Sequence, residues 1–444
     1  MATHTHGLAT GESRRNVTGR QRSARPAAFS LISEACVPAT ILAPPDVQDV
    51  LRGSTPPAPD IPNPRTSPHG HKERLLALDV FRGLTVAGML LVNNPGSWDA
   101  IYPPLEHAKW HGWTPTDVIF PFFLFIVGIT THLSLTSRRA RGASDRDLVV
   151  QIVKRGILIV LCGLALAAFP YTPLSRVTEL RFPGVLQRIG AAYLCGALLT
   201  FRSDWKQQIA ILVVILFGYW GAQTLIPVPG VAGPPSLDDP SGTLSAWLDR
   251  AIFGSHLWAS SRTWDPEGLL TTVPAVGTVV LGVLCGRWLG TRRDIMDRLV
   301  GMFALGALGM MAGLVWNWVF PINKSLWTSS YVLFTAGMGT TVLATCIWLV
   351  DVLGMRRWTT PSVVFGMNPL VAFLGSGMMA RGIYSLIKID VDGERVPIQR
   401  LIYERVFLSW LDPRNASLLF AITFVFVWAL LLWGLYRKRI FIKV

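Results

Sequence analysis

Glu106-His107-Ala108-Lys109-Trp110-His111-Gly112-Trp113-Thr114-Pro115-Thr116-Asp117 runs directly into Val118-Ile119-Phe120-Pro121-Phe122-Phe123-Leu124-Phe125-Ile126-Val127-Gly128. The second half is at ease only in lipid or in a large core. The first half crowds two histidines, two carboxylates and two tryptophans against it. A titratable side chain at the mouth of a membrane bundle is costly to place, so such a segment is a functional-site candidate by default. An imidazole is also the side chain whose proton moves most readily near neutral pH.

The rest of the chain repeats this alternation. Its 444 residues are 51% hydrophobic and only 15% charged, where soluble domains carry roughly 25% charged residues. With repeated long apolar runs, that deficit reads as a polytopic membrane protein in a lipid bilayer. The net charge of +14 does not indicate nucleic acid, because Lys and Arg sit in short clusters between apolar spans, as orientation-setting charge does. Of the cysteines, Cys162, Cys195, Cys285 and Cys346 lie inside apolar runs and no CxxC occurs. They read as small core residues rather than a disulfide or metal framework. Residues 1–72 are rich in Pro, Ser, Thr, Ala and Arg and read as a disordered cytoplasmic extension. Residues 73–444 read as one transmembrane domain.

A crossing takes roughly 20 helical residues. The expected spans are 76–94, 114–136, 148–169, 183–201, 206–227, 267–288, 297–320, 326–351, 361–384 and 414–436. The fold class is therefore all-α, a bundle of about ten transmembrane helices. Arg138, Arg139, Arg141 and Arg146 follow the second span, Arg202 and Lys206 the fourth, Arg287, Arg292, Arg293 and Arg298 the sixth, Arg356 and Arg357 the eighth, and Arg437, Lys438 and Arg439 the tenth. The positive-inside rule makes that side cytoplasmic, with both termini on it. The longer loops, with Trp98, Trp110, Trp113, Trp247, Trp258 and Trp264, face the opposite side and include His107.

Several constellations carry chemistry. Asp79 and Arg82 stand three apart and share a helix face, either as an interfacial anchor or as a polar site gripping an anion. Asn93 and Asn94 close the first span. His107 would be base or nucleophile for acyl transfer, and Asn93 would orient it or hydrogen-bond an acyl oxyanion. A helix-ending Asn and a surface His is the plainer reading. His107 and His111 are spaced like a metal pair, but no third ligand is evident and no metal is expected. Gln187 and Arg188 put polarity inside an apolar span, to pair with Asp79 or Asp117 or to meet a substrate. Asp265 suits an N-cap with Pro266 first in the helix, and Glu267 suits its dipole. A carboxylate there also suits a cationic amine. Asn323-Lys324-Ser325 forms another outer polar knot, and Asn368-Pro369 interrupts a span, as helices lining a cavity do.

In this order, Asp79-Val80-Phe81-Arg82-Gly83, His107-Ala108-Lys109-Trp110-His111-Gly112-Trp113-Thr114, Asp117 through Phe125, Pro183-Gly184-Val185-Leu186-Gln187-Arg188, Asp265-Pro266-Glu267-Gly268, Asn323-Lys324-Ser325-Leu326-Trp327 and Gly366-Met367-Asn368 resemble the heparan-alpha-glucosaminide N-acetyltransferase family over roughly 74–440. The resemblance implies acetyl transfer from cytoplasmic acetyl-CoA to an amino sugar across the membrane. It maps the essential histidine to His107 and the essential asparagine to Asn93, with Asn94 adjoining. On this reading Arg82, Gln187, Arg188, Lys324 and Asn368 meet the acetyl-CoA; Trp110, Trp264, Asp265 and Glu267 meet the acceptor; Asp79 and Asp117 are structural. The family's large luminal amino-terminal domain is not expected here, and a bacterial inner-membrane member is, acting on a free amino sugar or short glycan. The sequence leaves a homodimer open. The rivals are a polysaccharide O-acyltransferase and a secondary transporter of sugars or organic anions. No internal repeat of the transporter kind is visible.

Overall fold

The computed structural model describes residues 75–171 and 180–442. The extension read at 1–72 and most of the connection at 170–182 lie outside the described residues. The helices are α1 (Leu76–Asn93), α2 (Ile119–Arg139), α3 (Asp145–Ala168), α4 (Val185–Thr200), α5 (Trp205–Leu225), α6 (Leu244–Phe253), α7 (Leu269–Leu289), α8 (Ile295–Trp316), α9 (Ser329–Ile347), α10 (Thr359–Met367), α11 (Pro369–Arg381), α12 (Ile398–Ile402) and α13 (Pro413–Arg437). Short polar side chains start several of them. Ser144 accepts the Asp147 N–H before α3, Asp204 and Gln207 form a reciprocal cap on α5, and Asp412 caps α13 with Pro413 in first position. Such residues satisfy helix N–H groups that have no intrahelical partner.

Among the described residues, eight helices are long and apolar enough to cross a membrane. The protein is an all-α polytopic membrane protein. One of the ten expected spans falls short, and another is broken where the sequence places its interruption. The span read at 183–201 is the 16-residue α4, shorter than a full crossing of about 20 residues. The span read at 361–384 breaks into α10 and a helical segment 369–386 that meet at 82°. Pro369 has no N–H to donate and disfavours helical geometry at the residue before it, and Asn368 accordingly sits at φ −128°, ψ 54°. Two elements inside the long loops escaped the hydropathy reading: amphipathic α6, and an antiparallel hairpin of β1 (Lys388–Val391) and β2 (Glu394–Pro397). The hairpin turns at Asp392-Gly393, both with positive φ, as a two-residue turn requires.

The loops gather at two ends. At one, Trp110 Nε1 donates to the Leu237 carbonyl, the Gly112 N–H to Ile322, and the Tyr384 hydroxyl to Pro95. At the other lie the basic connections, where Arg139 and Arg202 share Asp145 and Arg287 reaches the Ser203 carbonyl. Leu305, Leu308, Met311, Val315 and Trp318 leave one side of α8 and the chain just after it exposed, the surface that lipid covers.

Helix contacts rely on small residues that let backbones approach. A Cβ on Gly83 of α1 would lie 1.6 Å from the Ser362 carbonyl oxygen of α10, and one on Gly128 of α2 would lie 2.1 Å from the Val279 oxygen of α7. Gly83→Ala is therefore expected to force α1 and α10 apart and destabilise the fold by at least ~3 kcal/mol, the upper range for overpacking. Gly88→Ala is the control, since its nearest neighbour would be the Ile119 Cδ1 at 3.5 Å. Thermal unfolding in detergent should show a large loss for the first and none for the second.

Candidate active site

The segment before α2 is held by its own turn chemistry. Thr114 and Asp117 form a reciprocal cap with Pro115 between them, and Gly112 adopts φ +94°, which glycine tolerates without strain. This turns His107 back over the start of α2. His107 Nδ1 lies 2.7 Å from Asp117 Oδ1. The other carboxylate oxygen of Asp117 accepts the Ala108 N–H at 3.0 Å and the Thr114 N–H at 3.1 Å. From α9, the Tyr331 hydroxyl donates to the Asp117 carbonyl. Asp117 is thus a buried carboxylate whose position is fixed from several directions, and its remaining oxygen takes the Nδ1–H of His107. That hydrogen bond leaves Nε2 as the lone-pair atom.

Lys324 comes from the loop between α8 and α9. Its Nζ lies 3.2 Å from Asp117 Oδ1, 3.0 Å from His107 Nδ1 and 3.5 Å from Nε2. Asp117 already receives the Nδ1–H, so the ammonium pairs with the carboxylate rather than with the imidazole lone pair. Burial pulls the Lys324 pKa below its ordinary value against the pull of the Asp117 charge.

His107, Lys324, Asn93 and Glu267 line one wall region of a cavity of about 660 Å³, within the ~300–1,000 Å³ usual for small-molecule sites. Its middle is apolar, with Phe120, Phe123, Ile126, Ile159, Ile189 and Phe373. Its far wall carries Arg82, Ser134, Arg138, Gln151, Arg155 and Tyr193. Along α2 the lining runs from Ile119 to Arg138, ~28 Å at the helical rise of 1.5 Å per residue. The cavity therefore extends over most of a ~30 Å hydrocarbon layer. At the basic end Arg138 donates to the Gln151 carboxamide oxygen, and the Arg155 guanidinium lies 4.9 Å from the centre of the Tyr193 ring. The Arg155 Nε is buried with no hydrogen-bond partner among the described residues. A half-buried guanidinium facing a cavity, with its Nε–H unpaired, is chemistry suited to a polyanion.

The other expected site residues divide clearly. Asn93 is exposed to the cavity with no hydrogen-bond partner among the described residues, whereas Asn94 is buried and donates to the Leu90 carbonyl. Arg82 lines the cavity and bonds to Asp79 and to the Gly366 carbonyl. Gln187 packs on Gly163 and Gly184, away from the lining. Arg188 is also away from it, buried, donating to the Thr271 hydroxyl and lying over Trp327. The expected Arg188 partners, Asp79 and Asp117, are instead engaged with Arg82 and with His107 and Lys324. Asn368 is fully buried and holds the backbone of Ile440 and Ile442, so its neighbours Met367, Pro369 and Ile442 reach the cavity and it does not. Trp110 stands edge-on to Trp264, 5.2 Å between ring centres. His111 faces Asp238 and Asn323.

Asp265 does not cap α7. The helix begins at Leu269, and Asp265 is buried against Arg181 and the N–H groups of Trp258 and Glu267. Arg181 also pairs with Glu267. The N–H of Leu269 is taken by Asp249, which reaches across from α6. Burial pushes the Asp249 carboxyl up to about 6 from 3.8. A raised folded-state pKa favours the fold most fully below the unfolded value, and that contribution is lost as pH rises through the folded value. Asp249→Asn should thus match wild type below about pH 4 and exceed it by ~3 kcal/mol above about pH 6. Thermal unfolding of both proteins across that window measures it.

The sequence matches the family model "Heparan-alpha-glucosaminide N-acetyltransferase, catalytic" over residues 74–305. It is 30% identical to the human heparan-alpha-glucosaminide N-acetyltransferase over 429 residues and 29% identical to the mouse protein over 424 residues. Each alignment covers 84% of this chain and 60% of the relative's length. The match covers the His107 segment, the apolar and basic walls on α2 and α3, and Glu267. The chain is a multi-pass member of the heparan-alpha-glucosaminide N-acetyltransferase family.

Proposed function

We propose that the protein moves an acetyl group from acetyl-CoA to the amine of a glucosamine-type sugar or short glycan. The donor enters at the basic end of the cavity and the acceptor at the end that holds His107. The observation that carries this reading is the cavity itself, basic at one end, apolar through the middle and acid–base at the other. Phosphates of the donor meet Arg138, Arg155 and Arg82, its slender arm lies along the phenylalanines, and its thioester reaches His107 Nε2. By the positive-inside rule the basic end is cytoplasmic, on the inner face of a bacterial inner membrane, with both termini there.

At the mouth, Asp117 holds the Nδ1–H tautomer and stabilises the imidazolium that forms when Nε2 takes a proton or an acetyl group. Asn93 supplies an amide N–H to the developing oxyanion. Lys324 adds positive charge beside it. Glu267 and the paired Trp110 and Trp264 line the approach of the sugar. Nε2 serves either as base for direct attack by the amine or as acetyl carrier. Label carried on His107 itself after acetyl-CoA alone marks the carrier route, and no label on His107 in a single turnover marks direct attack.

The test uses detergent-purified protein with radiolabelled acetyl-CoA and glucosamine. Labelled N-acetylglucosamine supports the reading. Protein that binds acetyl-CoA but acetylates only hydroxyl acceptors would make it an O-acyltransferase, and protein that binds no acetyl-CoA would overturn it.

A further inference from the structure

We propose that Lys324 is a self-acetylation site that closes the enzyme when the acetyl donor is present without an acceptor. The inference rests on the acetyl-transfer reading above. Its geometric basis is that the lysine already puts a primary amine where the acceptor amine has to arrive. Nζ lies 3.5 Å from His107 Nε2 and lines the same cavity. The backbone that carries it is clamped. The fully buried Asn323 accepts the Leu326 N–H at 2.8 Å and donates its own N–H to the Thr328 hydroxyl, and the Ile322 carbonyl takes the Gly112 N–H. Trp327 next to it is fully buried. On this clamped backbone, Asp117 Oδ1 at 3.2 Å holds the amine beside the imidazole.

The step balances without a further reagent. The neutral Lys324 nitrogen attacks the acetyl carbonyl carbon, the new N–C bond forms, and the bond from that carbon to the CoA sulfur, or to Nε2 in an acetyl-imidazole, breaks. The electron pair leaves on that sulfur or nitrogen, and the proton lost from the amine ends on it. The products are an acetyl-lysine and CoA with a free thiol. As an ammonium paired with Asp117 the lysine is not a nucleophile, which keeps the step slow beside turnover. Its burial favours the neutral form. Amines held against a reacting group gain effective concentrations of about 10⁵ M or more, so even a minor neutral fraction outruns a lysine in free solution. Acetylation would remove the Lys324–Asp117 pair and fill the mouth beside His107.

The experiment incubates the full-length protein with isotopically labelled acetyl-CoA and no acceptor, then maps acetylation by peptide mass spectrometry. The exposed Lys109 and Lys388 report non-specific transfer. Activity on glucosamine is measured in parallel aliquots. The expected result is Lys324 occupancy at least about tenfold above Lys109, activity falling in step with it, and both changes suppressed by glucosamine. Lys324→Arg, whatever its starting activity, should keep that activity through the incubation. An enzyme that makes N-acetylglucosamine while Lys324 is labelled no more than Lys109 overturns the inference and leaves the function intact. Neither product nor labelling overturns both. Lys324 labelling without glucosamine product upholds the modification site and redirects the choice of acceptor, on which the loss of activity is then read.

Discussion

His107→Ala is expected to lower kcat by about 10²- to 10⁴-fold, the range for removing a positioned acid–base group, while acetyl-CoA still binds. Binding survives because the anionic end of the donor is held at the opposite end of the cavity. Asp117→Asn should lose activity on a similar scale for a subtler reason. The Ala108 and Thr114 N–H groups both point at one carboxylate oxygen. In a carboxamide they compel the oxygen to stay there, which turns the NH₂ toward His107 Nδ1. The imidazole must then carry its proton on Nε2, where it is neither base nor nucleophile. Steady-state kinetics with a separate acetyl-CoA binding assay checks both variants. A fall in kcat with unchanged donor binding is the expected pattern, and full activity in Asp117→Asn would contradict the tautomer argument.

Arg155→Met is expected to weaken acetyl-CoA binding by about 10- to 100-fold, since a hydrogen bond to a charged group contributes roughly 1.5–3 kcal/mol and each 1.4 kcal/mol is tenfold. Arg155 lies deep in α3 over Tyr193, with its Nε unpaired, so its loss strands no carboxylate. Arg138→Met should act in the same direction, with the loss of its Gln151 partner added. The rate at saturating donor should change little, which separates these variants from those at His107. Isothermal titration with acetyl-CoA measures the effect, and unchanged affinity in both variants would remove the basic end from the donor site.

The bilayer made the fold legible. Helices that must satisfy every backbone group internally announce themselves as apolar runs, and the Arg clusters mark one set of ends. The misreadings have local causes. α4 stops after 16 residues, short of the crossing that hydropathy reads, and α6 and the hairpin are too polar to register, while the break at Asn368-Pro369 was legible in its residues. At the site, His107, Lys324, Glu267, Arg82 and Asn93 stand on the cavity wall because their motifs are compact. Arg155 and Gln151, inside the expected span 148–169, carried a signal that the basic clusters between spans did not include. They stand four apart on one face of an apolar helix, where a cation is expensive without a cavity to face. Asp249 and Arg181 carried none. Their roles depend on contacts with Leu269, Asp265 and Glu267, and neither lies in a motif that would suggest such partners.

The central claim is that donor and acceptor enter one cavity from opposite faces of the membrane. Sealed proteoliposomes test it directly, with acetyl-CoA confined outside and glucosamine confined inside. The account predicts labelled N-acetylglucosamine inside these vesicles and none when donor and acceptor are supplied together on the outside only. Product formed with both substrates on one face of intact vesicles would contradict it.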